Sequence, residues 1–191
     1  MRFGHFNANQ AHRDVNPTIS HLFLRKKSFS QDVSSAAEIV GYQLVAFDGD
    51  GSMKLSANKP CPCQSGKKTK GCCAPLLKGV AAHSPEALMR SRYTAYVTGN
   101  IKYIMNTTHP DGEHHRDDEE AWHKEIEVFC REFDFHGLSV LETEVKANQG
   151  WVTFHAKIAR EDKDVSFTER SLFLRESDRW LYHSAVRTTT D

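Results

Sequence analysis

Residues 139–158, SVLETEVKANQGWVTFHAKI, decide the fold, because apolar residues here recur at every second position. Ser139, Leu141, Thr143, Val145 and Ala147 alternate with Val140, Glu142, Glu144 and Lys146. Val152, Phe154, Ala156 and Ile158 then alternate with Trp151, Thr153, His155 and Lys157. Successive side chains of a strand point to opposite faces, so each run predicts a half-buried strand. Asn148-Gln149-Gly150 predicts the turn between them. A third strand from Val165 to Arg175 and a fourth from Arg179 to Val186 continue the series, after turns at Glu161-Asp162-Lys163-Asp164 and Glu176-Ser177-Asp178. On the third, Val165, Phe167, Glu169, Ser171 and Phe173 share one face, and Arg170, Leu172 and Leu174 the other. Whichever face turns inward brings one charge with it, Glu169 or Arg170.

Upstream the period lengthens. Ser84-Pro85-Glu86 supplies a capping hydroxyl, a proline at the first helical position and a first-turn acid, so a helix is expected to run to about Val97 and to end at Gly99. Leu88, Met89, Tyr93, Ala95 and Tyr96 form its apolar face, and Arg92 falls inside that face while Arg90 does not. Asn100 caps a short helix through Met105. Trp122, Ile126, Phe129 and Phe133 predict a third helix over 118–133. Between these lies THPDGEHHRDDEE, read as a solvated loop, and Cys130 is read as a buried thiol. Three helices before a meander predict an α+β domain with helices on one face of a curved sheet. A buried charge persists only when paired, so Arg92 and Glu169 are expected to form a salt bridge across the core.

Four of the five cysteines fall within thirteen residues, CPCQSGKKTKGCC from Cys61 to Cys73. Cys61 and Cys63 flank Pro62, and Cys72 and Cys73 are adjacent, so tight turns gather four thiolates of the kind that bind zinc in closed tetrahedral sites. Two disulfides or redox thiols are the other readings. The N-terminus shows no secretory signal, so a reducing, cytoplasmic setting is expected, and in it clustered cysteines favour metal.

The chain has 191 residues, 39% apolar content and equal numbers of basic and acidic residues, 25 each, which suits one domain with an appendage and no global field for polyanions. No apolar run spans a bilayer. The basic first thirty residues faintly suggest a targeting peptide. A strand from Ile39 to Phe47 and a polar turn at FDGDG are expected before the knuckle. The domains expected are 1–57, an extension; 58–78, the zinc knuckle; and 79–191, the sheet domain.

CPCQSGKKTKGCC resembles the SEC-C motif, with Gln64 where glycine is common and Cys73 where some members have histidine. Together with PEALMRSRYTAYV from Pro85, the His109-Pro110 pair and TERSLFLRESDRWLYHS from Thr168, it makes residues 59–186 resemble the YchJ-like family of small bacterial SEC-C proteins. That resemblance implies an NTF2-like cone, a curved sheet wrapped by helices, with zinc on Cys61, Cys63, Cys72 and Cys73. Members often have tryptophan where this chain has Thr108, and Asp-Gly where it has His183-Ser184.

Two functions follow as expectations. The first is docking: Lys59, Lys67, Lys68, Lys70 and Lys78 form a local positive patch, with Lys67, Lys68 and Lys70 as the contact residues. The resemblance implies an acidic protein surface or the ribosome as partner, and a homodimer through the sheet is an arrangement open to the fold. Sequence-specific DNA is not expected, since no recognition helix follows the cysteines. The second is an isomerase or dehydratase working in the cone, with Glu169 as base, Arg92 as electrostatic stabiliser and His155 or His183 as proton carriers. Against it, His155 shares a face with Thr153 and Lys157, away from the core.

Overall fold

A computed structural model describes residues 53–188. The expected Ile39 to Phe47 strand, the FDGDG turn and the basic first thirty residues lie outside the described residues. Among these residues a 3-10 turn, Thr69–Gly71, is followed by helices α1 (Cys73–Leu77), α2 (Pro85–Thr98), α3 (Ile101–Asn106) and α4 (Glu119–Glu132). Strands β1 (Asp134–Lys146), β2 (Gln149–Arg160), β3 (Lys163–Asp164), β4 (Phe167–Glu176) and β5 (Arg179–Thr188) complete the fold. None of these helices is long and apolar enough to cross a membrane.

The helix boundaries follow capping chemistry. Ser84 accepts a hydrogen bond from the Ala87 amide, Asn100 from Tyr103 and Asp118 from Ala121, each satisfying one orphan amide of a first turn. Gly99 ends α2 at φ +69°, a left-handed conformation that glycine takes without steric cost. The one helix not anticipated is α1. Its five residues lie where a loose connector was expected, because Cys73 already begins it.

All strand pairs are antiparallel, in the order β1-β2-β4-β5, with β3 beside β2. Glu161 and Asp162 turn between β2 and β3 and Ser177 and Asp178 between β4 and β5, all four at positive φ, the backbone form that matches strand twist in tight hairpins. The β1–β2 turn is Ala147-Asn148, not the expected Asn148-Gln149-Gly150. Gly150 lies inside β2, where a Cβ would collide with Pro85 Cγ and come within 2.9 Å of Pro85 Cβ. Its role is close approach of helix to sheet, not chain reversal.

Strict alternation also fails in β1. Register shifts between Phe135 and Gly137 and between Val140 and Glu142 insert bulges, so Phe135, Leu138, Val140 and Thr143 end up opposite the inward residues of β2. Leu141 is left exposed. On β2 and β4 the expected faces hold: Val152, Phe154, Ala156, Ile158, Ser171 and Phe173 are buried, and Glu169 rather than Arg170 is on the inner face. Arg170 turns outward to Glu144, at 2.7 Å.

Leu88, Met89, Tyr93 and Ala95 of α2 pack into the concave face, together with Ile104, Trp122 and Ile126. Phe173 and Val152 are fully buried, each contributing roughly 1.5–3 kcal/mol. The α+β reading holds, with four helices among the described residues in place of three.

Candidate metal centre

The knuckle is built from turns that point four sulfurs inward. Backbone hydrogen bonds from the Cys61 amide to Lys67 O (2.8 Å) and from the Thr69 amide to Lys59 O (3.0 Å) close the first loop. The 3-10 turn then places Cys72 and Cys73 beneath it. Cys61, Cys63, Cys72 and Cys73 present sulfurs that all lie within 4.8 Å of one another, the one such cluster found among the described residues. Cys63 Sγ and Cys72 Sγ are 3.5 Å apart, and Cys72 Sγ and Cys73 Sγ 3.8 Å. Metal–sulfur bonds of about 2.3 Å in a tetrahedron set sulfur–sulfur edges near ~3.8 Å, so the donor set fits one ion. Four thiolates leave no open position, which makes such a site structural.

Electrostatics agree with that fit. Cys61 is pulled well below the usual thiol range by hydrogen bonds from Cys63 and Cys73, while Cys73 and Cys63 are pushed up, chiefly by their hydrogen bonds to Cys61. Sulfurs sharing protons and negative charge in a buried cluster are relieved by a cation. Ser65 Oγ lies 3.2 Å from Cys72 Sγ and supports the most accessible ligand.

Three contacts fasten the knuckle to the sheet domain, and sequence reasoning named none of them. Arg90 donates to Cys63 O at 3.0 Å while holding Glu86 at 2.7 Å. Thr94 Oγ1 lies 3.9 Å from Cys61 Sγ. Gln64 adopts φ +55°, which explains why glycine is common there, and its side-chain amide donates to His136 O at the first β1 bulge, at 3.0 Å. The Glu86–Arg90 spacing was legible as a helical i,i+4 pair. The carbonyl that Arg90 also reaches was not.

Lys59, Lys67, Lys68, Lys70 and Lys78 are all exposed. The cone candidates separate. Arg92 is 5% exposed and donates hydrogen bonds to Ile104 O (2.8 Å), Thr107 Oγ1 (2.8 Å) and Thr108 Oγ1 (3.2 Å). Its guanidinium also lies 4.7 Å from the Tyr182 ring centre. A helix end, the two threonine hydroxyls and the Tyr96 phenol surround the charge, and Thr108 supplies one of those hydroxyls. Glu169 accepts from Ser171 at 2.8 Å, and burial, followed by the Glu169 charge, raises the Tyr182 phenol. His155 points to the outer face and meets Thr168 at 3.0 Å. His183 sits in a β5 bulge, where Leu172 and Phe173 pair with Ser184 and Tyr182, and its Nδ1 meets Ser184 Oγ at 3.0 Å. Arg92 and Glu169 thus both act on Tyr96 and Tyr182 inside the domain, whereas His155 lies on the opposite face of the sheet.

The polar loop is less solvated than expected. His109 is 3% exposed; its Nδ1 accepts from the Asp111 amide (3.0 Å), so Nε2 carries the proton and donates to Glu176 at 2.9 Å. His114 stacks on Tyr182 at 5.7 Å. Glu113 accepts from Tyr182 and from the Ala185 amide, tying the loop to β5. Cys130 is half-buried, and burial pushes its thiol up to about 12.

Comparison with known proteins gives a consistent result. The family model for the middle NTF2-like domain of YchJ matches residues 84–185. A UPF0225 protein of Pectobacterium carotovorum is 36% identical over 139 residues, covering 70% of this chain and 86% of its own. One from Sodalis glossinidius is 38% identical over 128 residues, covering 64% and 80%. Among solved structures, a SEC-C motif containing protein from Rhodopseudomonas palustris is 36% identical with a TM-score of 0.59, covering 69% of this chain and all of that one (100%). A second, from Psychrobacter arcticus, is 24% identical with a TM-score of 0.57, covering 71% and 86%, and shows the fold alone.

Proposed function

The chain belongs to the YchJ family, with its NTF2-like middle domain, and on that premise we propose that it is a cytoplasmic zinc-binding docking protein. Zinc on Cys61, Cys63, Cys72 and Cys73 holds the knuckle rigid, and Lys67, Lys68 and Lys70 dock onto an acidic protein surface or the ribosome. The NTF2-like domain serves as the platform.

One observation carries this reading. Lys59, Lys67, Lys68 and Lys70 are exposed, and none forms a salt bridge among the described residues, yet the backbone that carries them is pinned by hydrogen bonds such as Lys70 N to Ala57 O at 3.0 Å. Charge that is uncompensated but pre-positioned steers an acidic partner and loses little entropy on binding.

The test reverses Lys67, Lys68 and Lys70 to glutamate in the metal-loaded chain and measures binding to immobilised polyglutamate and co-sedimentation with purified ribosomes at graded salt. Salt-sensitive binding by the parent, abolished in a variant of unchanged metal content, supports docking, and the arm that responds identifies the partner class. A variant that binds as the parent does overturns it.

A further inference from the structure

A second cavity, of about 310 Å³, opens where α1 and the residues after it meet α3 and the start of β5. Its deepest wall is apolar, formed by the buried Leu76, Leu88, Tyr103 and Trp180, and Asn100, Asn106 and Thr107 add polar groups beside it. The Tyr103 hydroxyl is committed to Ser91 at 2.7 Å, so the aromatic floor offers a surface and not a polar group. Its rim is cationic. Lys78, Lys102 and Arg179 line the cleft, no carboxylate does, and none of the three forms a salt bridge among the described residues. The larger groove of about 1340 Å³, which shares Lys102 and Arg179, also carries Glu119, Glu120 and Glu127, and those acids make it the poorer host for negative charge.

An apolar cleft with a few convergent polar groups is the usual form of a small-molecule site, and such sites begin at roughly 300 Å³. An apolar cavity of about 150 Å³ holds benzene. The present cleft therefore has room for one ring and a charged head. From this geometry we infer that the cleft binds a small organic anion, a carboxylate or phosphate ester on a single-ring or similarly sized apolar body. The ring lies against Trp180 and Leu76, and the head group meets Lys102 and Arg179. The site is separate from the docking face at Lys67, Lys68 and Lys70; Lys78 alone belongs to both basic groups. It is also tied to the metal centre, because α1 starts at the ligand Cys73 and supplies Leu76 to the floor one turn later.

The experiment titrates phenyl phosphate into the metal-loaded full chain and follows amide and indole resonances. Benzyl alcohol and inorganic phosphate serve as the neutral and the ring-free comparisons. The expected result is saturable shifts of the Leu76 to Ala82 and Tyr103 amides and of the Trp180 indole. Binding is expected to weaken at least about tenfold, or about 1.4 kcal/mol, for either comparison compound and in the Lys102→Gln, Arg179→Gln variant. Both substitutions are at exposed positions, and an unchanged thermal midpoint checks that the fold persists. Three outcomes overturn the inference: no shifts at about 10 mM probe, weaker than any useful site; equal binding of benzyl alcohol or inorganic phosphate; or shifts confined to residues 67–70. The Lys67, Lys68, Lys70 reversal leaves phenyl phosphate binding intact, so failure of the docking reading and failure of this one are distinguishable.

Discussion

Gly150→Ala tests the way in which helix and sheet are brought together. Gly150 is buried in β2, opposite Val145 of β1 and Phe173 of β4. An added Cβ would strike Pro85 Cγ, lie 2.9 Å from Pro85 Cβ and 3.3 Å from Trp180 Cζ3. Neither neighbour is a flexible chain end: one is the proline ring that begins α2, the other a buried indole. Inserting a methyl group into such a site costs about 1–3 kcal/mol. Removing a strand glycine returns about 0.5–1 kcal/mol of backbone entropy. Because the clash is with a closed ring, the cost lies in the upper part of that range, about 2–3 kcal/mol, so the net loss is roughly 1–2.5 kcal/mol, and at about 2–4 °C per kcal/mol for a chain of this size the thermal midpoint falls by about 2–10 °C. Scanning calorimetry of the parent, Gly150→Ala, Pro85→Ala and the double variant isolates the contact. The double variant should recover at least about 0.5 kcal/mol relative to additivity, because trimming the proline ring makes room for the methyl group. A Gly150→Ala protein as stable as the parent, or a strictly additive cycle, refutes the close-approach argument.

Replacing Cys72 and Cys73 with serine should abolish an equimolar zinc content, measured by elemental analysis, and strip amide protection from the knuckle, while the strands around Phe173 and Val152 stay protected; full metal content in the variant contradicts the site. Arg92→Met should lower stability by about 1–3 kcal/mol in urea titrations, since lost charged hydrogen bonds outweigh the relieved desolvation. Arg92→Lys should fall further, because all three hydrogen bonds come from the one terminal nitrogen Nη1, and a shorter, more strongly hydrated ammonium costs more to bury there than the guanidinium lying over the Tyr182 ring; a lysine variant more stable than the methionine one rejects that account. Cys130, with its thiol pushed up to about 12, should resist iodoacetamide at pH 8 in the folded protein, where roughly one thiol in ten thousand is ionised, and react on denaturation; rapid labelling in the native state counts against its burial.

Local chemistry explains which features were legible in advance. Ser84, Asn100, Asp118 and Gly99 act on backbone groups within a few residues of themselves, so α2, α3 and α4 could be bounded to within a residue or two. The cysteine cluster is equally local: thirteen residues contain all four thiols and the turns that gather them. Legibility stopped where a partner is distant in the chain. Gln64 finds His136, Arg90 finds Cys63, and Arg92 finds the end of α3.

By itself, then, the sequence determined the order of α2, α3, α4 and the long strands, the inward face of β4 as one of two choices, and the gathering of four thiols in residues 61–73, because periodicity, capping and cysteine spacing are properties of short segments. Tertiary structure alone decided that Glu169 and not Arg170 turns inward, that β1 slips twice through bulges, that Gly150 yields its space to Pro85, and that α1, α3 and β5 enclose a cationic cleft. Each of these depends on contacts between segments tens of residues apart, and such contacts are settled by packing volume and by the satisfaction of buried polar groups, which no local pattern encodes.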